Sequence, residues 1–100
     1  MPVDIFRATL QFLDMKIIWD ETKRLTNLEK HKGFDFADLT TEFFDNAAIY
    51  PAKQGRLMAV GEFRGETIIA TIFVLLGTEA LSVISMRRAS RKERKLYDEQ

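Results

Sequence analysis

Residues 56–88 read RLMAVGEFRGETIIATIFVLLGTEALSVISMRR. The apolar period in this stretch is two. Leu57, Ala59 and Phe63 fall on one side of a strand, and Met58 and Val60 fall on the other. Arg64-Gly65-Glu66 has the composition of a tight turn. Thr67–Leu75 is an unbroken apolar run rich in β-branched residues, which predicts a central strand. Gly77-Thr78 turns the chain again, and Ala80–Met86 predicts the last strand. Strands joined by turns this short pair antiparallel, so the stretch predicts a β-meander.

Upstream, Ala47–Tyr50 predicts a further short strand, closed by Pro51 and the loop AKQG. Before it the period is helical. DFADLTTEFFDN (35–46) opens on Asp35 as a cap and sets Phe36, Leu39 and Phe43 on one face, which predicts a single helix. ETKRLTNLEKHK (21–32) predicts a helix capped by Asp20 and stopped by Gly33, with a narrow apolar stripe of Leu25 and Leu28. Lys16–Trp19 reads as a short strand. DIFRATLQFL (4–13) predicts a short amphipathic helix from Phe6, Leu10 and Leu13. Downstream, Ser90-Arg91-Lys92-Glu93 is a capping box, in which a serine hydroxyl and a glutamate carboxylate satisfy each other's backbone amides. A last helix therefore starts directly after Arg87 and Arg88. The expected fold class is α+β: a short strand, two helices, then an antiparallel meander closed by a short basic helix.

Composition restricts the function classes. One hundred residues, 46% of them apolar, suit one globular domain. With no Cys and one His, disulfides and thiolate metal sites are excluded, and no metal or cofactor is expected. No apolar run approaches the length of a membrane span, and Asp4 and Arg7 interrupt the N-terminus as a secretory signal would not allow. A cytoplasmic protein without a membrane partner is the expectation. There is no Gly-rich phosphate loop and no serine nucleophile elbow.

The formal net charge is zero but unevenly spread. Residues 87–95 carry six basic residues and one acidic, whereas residues 1–86 carry nine basic and twelve acidic. Arg87 and Arg88 sit where a strand meets a helix N-terminus, a place where guanidinium groups and free backbone amides can meet a phosphate together. Arg91, Lys92, Arg94 and Lys95 form either a solvated helix face or a nucleic-acid contact. His31 follows Leu28 on the same helical face. It is either a hydrogen-bonded structural imidazole or a proton carrier, because imidazoles exchange protons near neutral pH. Trp19 belongs to the core or to a base-stacking platform, and Tyr97, with Leu96, packs the last helix or meets a nucleotide.

Several of these residues fall in a shared pattern. MKIIWDETKRLTNLEKHKGFDFADLTTEFFD (15–45), RLMAVG (56–61) and ISMRRASRKERKLYDE (84–99) together resemble the BrnT family, the ribonuclease halves of type II toxin–antitoxin modules. The elements carrying the resemblance are Trp19-Asp20-Glu21, Lys23, Asn27, Lys30-His31, Gly33, Phe36-Ala37, Arg56 with Gly61, and Ser85-Met86-Arg87-Arg88-Ala89 with Glu93 and Tyr97. The resemblance implies a RelE-like fold over residues 15–100, with 1–14 as an N-terminal extension. It implies metal-independent RNA cleavage that inhibits translation. Arg87, Arg88, Arg56, His31 and Glu21 are then the catalytic candidates, and Arg91, Lys92, Lys30 and Tyr97 the RNA contacts. The implied partner is a cognate antitoxin of the ribbon-helix-helix, DNA-binding type, held in a hetero-oligomer. The competing class is a non-catalytic nucleic-acid-binding or co-repressor module acting with an antitoxin. Two positions depart from the family pattern: Gly55, where glutamate is common before the arginine, and Phe73, where relatives carry tyrosine or histidine.

Overall fold

The computed structural model describes Phe12 and residues 14–65 and 67–99. The helix expected over residues 4–13 lies outside the described residues, apart from Phe12. That ring is buried, with its centroid 5.8 Å from Phe44 and 6.2 Å from Phe73.

Among the described residues, five strands form one mixed sheet: β1 (Lys16–Trp19), β2 (Ala48–Pro51), β3 (Leu57–Phe63), β4 (Thr67–Leu76) and β5 (Ala80–Arg88), in the order β1-β5-β4-β3-β2. The meander from β2 to β5 is antiparallel throughout, as the short turns require, and β4 is its central strand. β1 adds to the far side of β5 in parallel, pairing Lys16–Trp19 with Ala80–Val83. The alternation read from the sequence sorts the core correctly. Leu57, Ala59 and Phe63 join Phe36, Phe43, Phe44 and Phe73 in the larger cluster, on the face that the two upstream helical segments cover. Val60, with Ala48, Tyr50, Ala70 and Ala89, forms a smaller cluster on the opposite face, against which Leu96 and Tyr97 of the last helix pack. Full burial of a ring such as Phe44 or Phe73 contributes about 1.5–3 kcal/mol. Gly61 is needed for close approach, since a Cβ there would lie 3.0 Å from the Ala47 Cβ and 3.2 Å from Phe43 Cε1.

Among the described residues, three helices flank the sheet: α1 (Glu21–Lys30), α2 (Thr41–Asn46) and α3 (Arg91–Asp98). The capping signals act as read. Asp20 accepts from the Lys23 amide, and Ser90 and Glu93 form the reciprocal box. Three expectations need correction. The single helix over residues 35–46 is a 3-10 turn, Phe36–Asp38, followed by extended backbone and then α2. The cause is a second cap: Thr40 Oγ1 accepts from the Phe43 amide, while Asp35 accepts from Ala37, so each short segment has its own start. The stripe of α1 is not leucine-based, because Leu25 is 53% exposed while Asn27 is only 6% exposed. Finally, β5 does not stop at Met86 but runs through Arg88, because β4 extends far enough to pair with it.

Candidate nucleic-acid interface

β5 outruns β1. Parallel pairing ends at Val83, so the outer edge of β5 from Ile84 onward is left without a strand partner. α1 fills that gap with one side chain. Asn27 Oδ1 accepts from the Met86 amide at 3.1 Å, and Nδ2 donates to the Met86 carbonyl at 2.9 Å and the Phe34 carbonyl at 3.1 Å. A carboxamide offers the donor and acceptor that a neighbouring strand would have offered, which explains why it is buried. Between α1 and this edge lies an open cleft of about 380 Å³, with Lys23, Thr26, Lys30, His31, Ile84 and Ser85 in its lining. His31 stands at the C-cap of α1, where the helix ends and the chain turns through Gly33 at φ +89°.

A bulge decides where the two arginines point. Phe73 pairs with Val83, but Ile72 pairs with Ser85, so Ile84 is an extra residue on β5. Strict alternation from Val83 would put Arg87 on the large-core face. The bulge reverses the phase, giving Arg87 to the α3 side opposite Ala70 and Arg88 to the other side opposite Ile69. Arg87 there makes a two-pronged ion pair with Glu93, Nη1 to Oε1 at 2.7 Å and Nη2 to Oε2 at 2.9 Å. Glu93 also accepts from the Ser90 amide at 2.9 Å. The Arg87 guanidinium holds the Glu93 carboxyl down to about 2, and Glu93 in turn raises Arg87. Arg87 is thus a fastener between strand and helix. Arg88 is exposed, and its guanidinium has no partner among the described residues. It lies three residues beyond Ser85, about 10 Å along the strand from the His31 cleft. Arg91 and Lys92 are exposed in the first turn of α3.

The remaining candidates lie elsewhere. Glu21 accepts from Trp19 Nε1 at 3.1 Å and from Arg24 Nε at 2.8 Å and Nη2 at 2.7 Å, while Arg24 also reaches Asp35. The Arg24 and Trp19 hydrogen bonds hold Glu21 at about 2, so it is an ionised anchor of α1. Arg56 precedes Leu57, in the row of Val74 and Ser82, whereas Arg88 shares a row with Ile69 and Gly61. Five residues along and two strands across separate them, roughly 20 Å between Cα atoms. Arg56 therefore does not converge with Arg88 and His31 on one phosphate. Tyr97 is half-buried and packs α3 down, lining a separate depression of about 720 Å³ with Asp38, Glu42, Glu62 and Arg64. That depression is larger than the His31 cleft, but its three carboxylates repel a polyanion. Among the described residues no three His, Asp or Glu side chains gather as a metal site, and no helix is long and apolar enough to cross a membrane.

Lys23 and Asn27 entered the sequence reading only through the family resemblance; Thr26 did not enter it. The available local signal was an asparagine between Leu25 and Leu28, at a position a helix would otherwise have left apolar.

Residues 19–93 match the family described as "Ribonuclease toxin, BrnT, of type II toxin-antitoxin system". Among solved structures, the chain is similar to the ribonuclease toxin BrnT of Brucella abortus, with 65% identity and a TM-score of 0.72, over 77% of this chain and 99% of that one. No curated protein matches. The matched span contains β2 to β5, the Asn27 clasp, the arginine pair and the capping box, and the chain belongs to the BrnT ribonuclease toxins of type II toxin–antitoxin systems.

Proposed function

We propose that this ribonuclease toxin engages RNA along the β5 edge, with Arg88 and the His31 cleft as its chemical centre. The carrying observation is the division of labour in the arginine pair: Glu93 occupies Arg87, while Arg88 stays open beside a cleft that holds His31, Lys23 and Lys30. Lys30, Arg91 and Lys92 then attract flanking phosphates, a sequence-independent interaction. In the reaction the ribose 2′-OH attacks the adjacent phosphorus and the bond to O5′ breaks. The hydroxyl proton passes to a base and the leaving oxygen takes one up, leaving a 2′,3′-cyclic phosphate. Arg88 stabilises charge on the phosphoryl oxygens and His31 moves a proton. These cations and the imidazole supply the charge stabilisation and proton transfer the step needs, so the cleavage is metal-independent. Arg56 and Glu21 stand outside this centre, Arg56 by distance and Glu21 by its pairing with Arg24.

The overall arrangement is RelE-like, with helices on one face of a meander and a C-terminal helix on the other. The toxin acts in the cytoplasm, where RNA loss inhibits translation, and a ribbon-helix-helix antitoxin holds it in a hetero-oligomer. Arg88→Ala tests the centre. Cleavage of a single-stranded RNA should fall by at least about 100-fold, with the melting temperature unchanged. Retained cleavage by a folded Arg88→Ala protein would overturn the assignment, and RNA bound but uncut by the wild type would favour the non-catalytic binding module.

A further inference from the structure

The α3 helix covers only half of its sheet face. It lies over Ala48, Tyr50, Val60, Ala70 and Ala89, toward the end of the sheet where β5 finishes. The register places Ile18, Ser82 and Val74 in one row of the same face, with Lys16, Ala80 and Leu76 in the next. Ile72 follows across from Ser85, and Ile84 is the bulge residue beside them. Nothing among the described residues covers this half. Ile18 is 41% exposed and Leu76 47% exposed, two of the three exposed large apolar side chains among the described residues, and Ile72 and Val74 are half-exposed. A contiguous apolar patch of this kind on a sheet marks an interaction surface.

Charge selects the occupant. Lys16 is exposed at the β1 side of the patch, and Arg56 is half-exposed on the β3 side, on the same face by alternation from Leu57. None of the strand residues on this half of the face is acidic. A second copy of the chain docked about a two-fold axis would bring like cations together over the apolar centre. RNA gains little from an uncharged apolar centre. A peptide segment with apolar side chains and flanking carboxylates matches both features. The family's type II partnership supplies a protein partner, the antitoxin.

We propose that the antitoxin docks on this uncovered sheet face, seating apolar residues on Ile18, Ile72, Val74 and Leu76 and setting carboxylates against Lys16 and Arg56. The seat lies several rows from Arg88, so antitoxin capture and RNA cleavage are separable by mutation. The inference rests on the antitoxin partnership and not on the placement of RNA at Arg88.

The test uses the purified chain and its cognate antitoxin protein. A double variant, Ile18→Asp with Leu76→Asp, changes two exposed side chains. Its antitoxin affinity by titration calorimetry should weaken at least about 30-fold, while RNA cleavage and melting temperature stay at wild-type values. Lys16→Glu should weaken binding less and reduce its salt dependence. On the wild-type chain, amide exchange in the complex should slow in residues 16–19 and 72–76. Unchanged affinity in the folded double variant overturns the proposal. So does protection confined to α1 or α3, or loss of self-association with antitoxin binding intact. Should the double variant not fold, the wild-type exchange pattern decides alone.

Discussion

Replacing Asn27 removes three hydrogen bonds at once, two of them from the Met86 amide and carbonyl on the uncovered edge of β5. Asn27 is 6% exposed and Met86 is fully buried, so water does not readily take over. A buried polar group left unmet costs about 1–3 kcal/mol. Asn27→Leu leaves two such groups on Met86 and one part-buried carbonyl on Phe34, partly offset by the apolar side chain gained. The expected loss is roughly 2–5 kcal/mol, a large part of the ~5–15 kcal/mol that stabilises a small domain. At about 4–8 °C per kcal/mol for a chain of this size, melting should fall by roughly 8–40 °C. Urea unfolding followed by far-UV circular dichroism measures this, with the slope checked for two-state behaviour. Asn27→Asp is the sharper control. It keeps the acceptor for the Met86 amide but points a carboxylate oxygen at two carbonyls, so at neutral pH it should be at least as damaging as Asn27→Leu. A loss below about 1 kcal/mol for Asn27→Leu, or an Asn27→Asp protein as stable as wild type, would refute the clasp.

Ser90→Ala removes the hydroxyl that accepts from the Glu93 amide and should cost about 0.5–2 kcal/mol by chemical denaturation, with RNA cleavage retained in the folded protein. The Arg87–Glu93 pair sets an acid limb: Glu93 lies at about 2 against an ordinary 4.5, so its contribution is full above about pH 4.5 and is lost as pH falls toward 2. Glu93→Gln should flatten stability against pH in that window, although Glu21 and Asp35 are lowered too; an unchanged acid limb would show that the pair is not formed in solution. Gly61→Ala drives a methyl against Ala47 and Phe43 and should cost about 1–3 kcal/mol, and a neutral effect would mean α2 is free to move away. RNA cleavage should proceed equally with EDTA and leave 2′,3′-cyclic phosphate ends by mass spectrometry, and a strict divalent-ion requirement would contradict the proposed chemistry.

Features set by neighbours in the chain were legible in the sequence. The alternation of Leu57 to Phe63, the turns at Gly65 and Gly77, the Asp20 cap and the Ser90–Glu93 box each depend on residues within one turn or strand, where backbone geometry alone imposes the pattern. Even locally, competition went unread: Asp35 and Thr40 are both good caps, and only packing of Phe36, Leu39 and Phe43 into one core divides the segment between them. The tertiary structure alone decided what depends on strands far apart in sequence. β1 stops opposite Val83 while β5 runs on to Arg88, and that mismatch in length creates both the unpaired edge that buries Asn27 and the cleft beside His31. The bulge at Ile84 is a matter of register between β4 and β5, which no periodicity on either strand encodes. Alternation alone sends the two adjacent arginines to opposite faces, but the bulge decides which faces which, giving Arg87 to Glu93 and leaving Arg88 open, because one extra residue exchanges the faces of everything that follows it.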